Sequence, residues 1–167
     1  MTIQQFMQTS TRPRQGEIVD SSGRHLGTHR GIDRYTIGQR RGLGISAPAP
    51  LYVIALDSRR NQVIVGEEAE LYRQEIDVTH IHWISGTPPS FHQSYRVKIR
   101  STQKMQKAKL CQPGQNNDLQ LLFDTPQRAI TPGQFAVFYE EEEVLGSGII
   151  EQIQHLRQES QTWREPR

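Results

Sequence analysis

The sequence is poor in cysteine and in long apolar runs. Its single cysteine, Cys111, excludes an internal disulfide and is typical of a reducing compartment. No apolar run approaches the ~20 residues that a membrane-spanning helix needs. Residues 1–15 also lack the apolar core of a secretory signal. We therefore expect a cytoplasmic protein with no membrane partner.

The net charge of +2 conceals an uneven distribution along the chain. Residues 1–60 carry nine Lys/Arg and four Asp/Glu, and residues 96–110 carry six Lys/Arg and no Asp/Glu. Acidic stretches separate and follow these two basic blocks. Such segregation indicates a surface of limited extent that attracts a polyanion. An ordinary mixed surface is the alternative interpretation.

Alternation of apolar and polar residues predicts a protein made mainly of β-strands. Residues 17–19 and 24–27 flank one polar turn, and residues 51–57 and 62–66 flank another, so each pair of segments predicts a hairpin. These hairpins and the loop between them predict a small β-rich central domain over residues 16–75.

About six further short strands predict a second domain, a closed antiparallel β-barrel over residues 76–153. The predicted strands cover residues 78–85, 95–100, 107–111, 119–123, 135–139 and 144–153. Gly146 and Gly148 indicate a bulge or a barrel corner. The remaining residues predict a remnant linker over 1–15 and a polar tail over 154–167.

The strand over residues 95–100 has one apolar and one basic side. Its period of two places Tyr95, Val97 and Ile99 towards the core. The opposite side carries the basic side chains Arg96, Lys98 and Arg100. Four consecutive glutamates at residues 140–143 predict a solvated hairpin turn, which would repel a polyanion if it faced the same way as the basic side chains.

Residues 35–44 read Tyr-Thr-Ile-Gly-Gln-Arg-Arg-Gly-Leu-Gly. The segment opens like a strand, with Tyr35 and Ile37 on one side, and continues as a glycine-rich loop. Arg40 and Arg41 suit phosphate because a guanidinium matches its oxygens. We expect Gln39 to support the loop by hydrogen bonding. A solvated turn is the alternative.

Three other patterns are weaker indications of chemistry. Residues 20–22, Asp-Ser-Ser, match the end of a pyrophosphate-binding loop, but the glycines that such a loop needs do not precede them, so we expect a turn. His25 with His29, and His80 with His82, lack a third ligand, so no metal site is predicted. Cys111 is interpreted as a plain, partly buried thiol. Trp83 is expected in the core or at an interface.

Several longer strings resemble the bacterial tRNA 2-thiouridylases, which replace an oxygen of the wobble uridine with sulfur. The strings occur in family order and cover the chain from about residue 16 to residue 151. They lie at residues 16–20, 26–31, 35–44, 96–100, 123–139 and 145–150.

This resemblance implies a division of labour between domains. In the family, an N-terminal adenylating domain binds ATP and carries two cysteines that handle sulfur. A small central domain follows, and a C-terminal barrel resembling domain 2 of translation elongation factors helps to hold the tRNA. This chain matches only the latter two domains, so the resemblance implies no cofactor in this chain and ATP in the missing domain.

The resemblance therefore predicts the tRNA-binding portion of an ATP-dependent tRNA-uridine 2-sulfurtransferase that is not catalytic by itself. The expected partners are tRNA, the missing adenylating domain and, through that domain, a sulfur-relay protein. The alternative is a freestanding β-barrel module that binds another RNA or a protein.

The same resemblance assigns roles to individual residues. Arg100 and Gln134 align with an arginine and a glutamine that contact tRNA. Family members commonly place an aromatic residue after that arginine, where this chain has Ser101. Arg96 and Lys98 belong to the same basic strand, although a solvated strand face is the alternative for them and for Arg100. Arg40 and Arg41 are expected to face the RNA or the catalytic domain.

Overall fold

A computed structural model of the chain describes residues 14–91, 93–111 and 118–151. The chain divides into two compact units with the boundary between Tyr72 and Arg73. The predicted tail over 154–167, and the predicted linker apart from Arg14 and Gln15, lie outside the described residues. In the described ranges, no helix is long and apolar enough to cross a membrane.

The first unit is a four-stranded mixed sheet with the order β2-β1-β4-β3. Its strands are β1 (Gly16–Asp20), β2 (His25–His29), β3 (Tyr52–Asp57) and β4 (Gln62–Gly66). Short 3-10 helices cover Ile32–Arg34 and Glu68–Leu71. Both predicted hairpins are confirmed, because β1 pairs with β2 and β3 pairs with β4 in antiparallel fashion.

The two hairpins are joined by a parallel pairing of β1 with β4, in which Ile18 lies opposite Val63. Both of these side chains are completely buried. Their cluster also contains Leu43, Val53 and Val65. The core of the first unit therefore includes Leu43 from the loop over 35–44, and Tyr35 and Ile37 of the same loop pack against it.

The turn between β1 and β2 is closed by the side chain of Asp20. Its Oδ1 accepts hydrogen bonds from the backbone N–H of Ser22 at 3.0 Å and of Arg24 at 2.9 Å, and from the Ser22 hydroxyl at 2.6 Å. Its Oδ2 accepts from Arg24 Nε at 3.0 Å. The Asp-Ser-Ser string is therefore a turn, as predicted, and its carboxylate is occupied by the hairpin itself.

The second unit is a closed six-stranded antiparallel barrel, and the predicted fold class is thus confirmed. The barrel order is β10-β5-β8-β7-β6-β9. The strands are β5 (Tyr72–Trp83), β6 (Ser94–Lys98), β7 (Gln106–Cys111), β8 (Leu119–Arg128), β9 (Phe135–Glu140) and β10 (Glu143–Ile150). Phe123 and Phe138 fill the interior. Trp83 packs on Phe138 with ring centroids 5.0 Å apart.

The two glycines of β10 lie at irregularities of the barrel, as predicted. The ladder with β9 shifts between Val144 and Gly146, and the ladder with β5 shifts between Ser147 and Ile149. A side chain at Gly146 would place its Cβ 2.4 Å from the His82 carbonyl oxygen. Only glycine allows the strands to approach this closely at the bulges.

The alternation predicted for residues 95–100 is confirmed up to the end of the strand. Tyr95, Val97 and Ile99 are 4%, 0% and 3% exposed. Arg96 is exposed and Lys98 is half-buried on the opposite face. The strand itself ends at Lys98, so that Ile99 and Arg100 belong to the turn that follows.

Candidate nucleic-acid interface

The outer side of β6 and β7 carries four basic side chains, Arg96, Lys98, Lys107 and Lys109. We call them the basic face. Arg96 lies directly opposite Lys107, and Lys109 lies opposite Ser94. The intervening pair, Tyr95 and Ala108, is buried in the barrel. The alternation of the two strands therefore directs these cations away from the core.

None of the four cations of the basic face forms an ion pair in the described part of the chain, although Asp124 directly follows Phe123, the β8 residue that is paired with Ala108. In residues 14–91, 93–111 and 118–151, no carboxylate lies within ion-pair distance of any of its four cations. Like charges directly opposite each other on adjacent strands are destabilising. No ion pair of the described residues neutralises the repulsion between Arg96 and Lys107, and an external anion that contacted both would reduce it.

One end of the basic face borders the acidic hairpin turn. Arg96 lies opposite Tyr139 on β9, and its Nη1 donates to the carbonyl oxygen of Glu141 at 3.4 Å. The side chains of the turn over residues 140–143 are exposed, as predicted. The potential outside β6 consequently becomes more positive from the Arg96 end towards Arg100.

Arg100 is half-buried and is fixed by the loop between β8 and β9. Its Nη2 donates to the carbonyl oxygen of Ala129. Ala129 has a φ of 52°, which turns the chain sharply after β8. Gln103 Nε2 donates to Gln127 Oε1 at 2.8 Å, and Gln127 is only 3% exposed. Two hydrogen bonds therefore hold the turn after β6 against the end of β8 and the residue that follows it.

Ser101 and Gln134 lie at the same end of the β6–β9 ladder. Lys98 is paired with Val137. Ser101 follows Lys98 by three residues, and Gln134 precedes Val137 by three residues. Both side chains are exposed. The backbone of Gln134 is fixed, since its carbonyl accepts from the N–H of Ile150 at 2.8 Å. The barrel thus brings Lys98, Arg100, Ser101 and Gln134 to one end.

The loop over residues 35–44 belongs to the first unit, and its predicted strand-like opening is wrong. Residues 35–37 form no strand, because Thr36 N–H donates to Gln39 Oε1 at 3.0 Å instead of to a neighbouring strand. Gln39 Nε2 donates to the Arg41 carbonyl at 2.9 Å. Gln39 therefore supports the loop, as expected.

Arg40 and Arg41 are both exposed on this loop. The loop is anchored to β3 by two backbone bonds, from Gly38 N–H to the Val53 carbonyl at 2.8 Å and from Val53 N–H to the Gln39 carbonyl at 2.9 Å. Arg40 also lines an open pocket of about 250 Å³. The two arginines are thus presented from an anchored loop on the first unit, whereas the other predicted residues lie on the barrel.

The histidines and the cysteine have ordinary surroundings. The ring nitrogens of His29 are 3.0 Å from the Asn61 carbonyl oxygen and 3.1 Å from the Gly31 N–H. His80 has a φ of 50° at the bulge of β5. Within the described part of the chain, no three His, Cys, Asp or Glu side chains could together hold a metal ion. Cys111 is half-buried at the end of β7.

Two aromatic side chains near the basic face were missed by sequence reasoning. Phe135 is 61% exposed, and Tyr139 is half-buried opposite Arg96. The available signal was the period of β9, because Ala136 and Phe138 point inward and direct the residues between them outward.

Comparison with known proteins identifies the family. Residues 4–67 match the family model described as a tRNA methyl transferase PRC-barrel domain, and residues 73–150 match that of an aminomethyltransferase beta-barrel domain. A tRNA-specific 2-thiouridylase MnmA of Desulfotalea psychrophila is 51% identical over 81% of this chain. The chain belongs to the tRNA 2-thiouridylase family.

Other 2-thiouridylases match at similar identity. The enzymes named MnmA in Nostoc punctiforme and Magnetococcus marinus are 44% and 47% identical over 91% and 81% of this chain. The chain spans only 39% of the Desulfotalea relative, 43% of the Nostoc relative and 37% of the Magnetococcus relative. These matches are consistent with a C-terminal fragment of a 2-thiouridylase.

Proposed function

We propose that this chain is the tRNA-binding portion of an ATP-dependent tRNA-uridine 2-sulfurtransferase and supplies no catalysis by itself. The observation that carries the proposal is the basic face, in which Arg96 and Lys107 lie opposite each other without a carboxylate partner in the described residues. Arg100, Ser101 and Gln134 extend this face at one end of the barrel. A phosphate backbone along β6 would relieve the repulsion.

The proposed contacts position the tRNA without reading its sequence. Lysine and arginine side chains on a strand surface bind phosphate oxygens, and such contacts fix register and orientation. One N–H of Arg100 is engaged by Ala129, and four of the five N–H groups of a guanidinium then remain for a phosphate or ribose. The exposed amide of Gln134 offers a further donor and acceptor nearby.

We further propose that the chemistry resides in an adenylating domain outside this chain, which binds ATP and receives sulfur from a relay protein. The Asp20 turn supports this part of the proposal, because its carboxylate is occupied by Ser22 and Arg24 of the same hairpin. Arg40 and Arg41 then face either the RNA or that domain. ATP turnover by the purified chain alone would contradict the proposal.

Filter binding of tRNA over a range of salt concentrations tests the proposal. The double variant Arg96→Gln, Lys98→Gln should bind tRNA more weakly. The logarithm of the association constant falls linearly with the logarithm of the salt concentration, and the steepness of this fall should decrease by about 0.7–0.9 per lost contact. The matched control is Arg59→Gln, Arg60→Gln, which removes the same charge from the β3–β4 turn of the first unit. Equal slopes for the two double variants would refute the basic face as the binding surface.

A competition experiment separates the proposed function from the alternative of a freestanding module. Unlabelled tRNA and an unrelated folded RNA of equal length are added to the labelled tRNA complex. A 2-thiouridylase portion should be displaced at lower concentration by tRNA. Equal displacement by both RNAs would instead favour a module that binds RNA by charge alone.

A further inference from the structure

The outer side of β9 presents an aromatic ring beside the basic face. Phe135 is 61% exposed, although Ala136 and Phe138 on the same strand are completely buried. Its backbone is fixed by the ladder, in which it lies opposite Ile149 of β10. The ring therefore projects from a rigid strand towards the outside of the barrel.

The register places this ring next to the cations. Lys98 lies directly opposite Val137, so Phe135, two residues before Val137, is a diagonal neighbour of Lys98 on the same face. Diagonal neighbours on adjacent strands are about 7–8 Å apart, which is within reach of aromatic and long side chains. Gln134 precedes Phe135 directly, and Arg100 lies two residues beyond Lys98.

We propose that Phe135 is a stacking surface for an unpaired base of the bound RNA, adjacent to the phosphate contacts of Lys98. This inference rests on the proposed tRNA-binding function and deepens it. Aromatic rings interleaved with cations are typical of surfaces that bind single-stranded nucleic acid, because every base has a planar face that can stack. Duplex RNA buries its base faces and offers nothing for the ring to stack on.

The charge around Phe135 favours RNA over an apolar protein partner. The neighbouring side chains of Phe135 are Lys98 and Arg100 towards β6, the uncharged Gln134 before it in sequence, and the partly buried Ile149 opposite it on β10. The acidic turn over residues 140–143 lies at the other end of the β6–β9 ladder. Ser101 offers no planar surface at this end. Phe135 thus supplies, from β9, an aromatic face that the turn after β6 lacks.

Three substitutions of Phe135 in the full chain test the role of the ring. Phe135→Ala and Phe135→Leu should weaken the binding of tRNA by about 5- to 150-fold, whereas Phe135→Trp should retain it, because only tryptophan keeps a stacking face. The slope of log K against log salt should not change, since no charge is removed. Binding of a fully paired RNA duplex should be equal for all variants.

The matched control is Ile84→Ala, which removes an apolar side chain of 66% exposure at the other end of the barrel and should leave binding unchanged. If Phe135→Ala or Phe135→Leu binds tRNA like the parent chain, the stacking role is refuted, while weakening by Arg96→Gln, Lys98→Gln would still support the basic face. If the parent chain fails to bind tRNA at low salt, the proposed function fails and the stacking role falls with it.

Discussion

Arg96 and Lys107 lie directly opposite each other on adjacent strands of the barrel, with no carboxylate of the described residues in ion-pair contact with either. Two like charges in this relationship lower the stability of an isolated sheet. A chain whose only task was to fold would gain from replacing one of them. Their juxtaposition is understandable if an anion covers both, which links the stability of the free barrel to its proposed ligand.

Lys107→Gln should therefore stabilise the free chain and weaken its binding to tRNA. We expect a gain of about 0.2–1 kcal/mol in the free energy of unfolding, measured by urea denaturation at low salt. The control is Lys109→Gln, because Lys109 lies opposite the uncharged Ser94 and its removal relieves no such pair. An equal gain for both variants would mean that general net charge, and not this pair, is responsible.

Substitutions of Arg100 should separate charge from geometry. Arg100→Lys keeps the charge but loses the planar group that bonds to the Ala129 carbonyl, so tRNA affinity should fall about 3- to 10-fold with an unchanged salt slope. Arg100→Gln should in addition make that slope less steep, by about 0.7–0.9. Filter binding measures both quantities. Parent-like affinity of Arg100→Lys would exclude a specific role for the guanidinium, and an unchanged slope for Arg100→Gln would exclude a phosphate contact of its charge.

His29 should be a structural residue of the first unit. It is 1% exposed, and its ring accepts from Gly31 N–H at Nδ1 and donates from Nε2 to the Asn61 carbonyl, the tautomer that these two partners require. His29→Ala leaves both backbone groups without a partner, which costs about 2–4 kcal/mol. Chemical denaturation measures this loss, and the exposed His25→Ala should change stability by less than about 0.5 kcal/mol. If the two variants lose the same free energy of unfolding, the hydrogen bonds of the His29 ring do not stabilise the first unit.

Features that depend on local period were predictable from sequence. The alternation of apolar and polar residues was sufficient to predict that Tyr95, Val97 and Ile99 point inward, because the side chains of a half-buried strand change face at every residue. The hairpin turn at Asp20 was predictable because Asp, Ser and Gly favour such turns. The same reasoning could have found Phe135 on the outer side of β9, had the period been followed to the start of that strand.

Features that depend on distant partners were not predictable. The parallel pairing of Ile18 with Val63 joins segments that are far apart in sequence, and neither local pattern specifies the other. The bond between Arg100 and Ala129 is of the same kind. The strand expected at Tyr35 failed for a different reason, since the Gln39 side chain competes for backbone N–H groups that a strand would need.

The Asp20 turn gives the chain a carboxylate with an altered titration. The bond from the Ser22 hydroxyl at 2.6 Å is the largest cause that holds the pKa of Asp20 below its ordinary value of 3.8. Because the pKa is lower in the folded chain, the carboxylate stabilises the hairpin above pH 3.8, and this contribution is lost as the pH falls through the folded value.

Ser22→Ala should therefore raise the pKa of Asp20 towards its ordinary value, because the charged carboxylate loses its strongest hydrogen-bond donor. An NMR titration of the Asp20 carboxyl carbon measures the pKa, and the amide of Arg24, which donates to Oδ1, reports the same event from the other side of the turn. Ser21→Ala is the control, since among the described residues the Ser21 hydroxyl does not donate to this carboxylate. If both serine variants shift the pKa of Asp20 equally, the shift comes from a general change in the shape of the turn and not from loss of the Ser22 hydrogen bond.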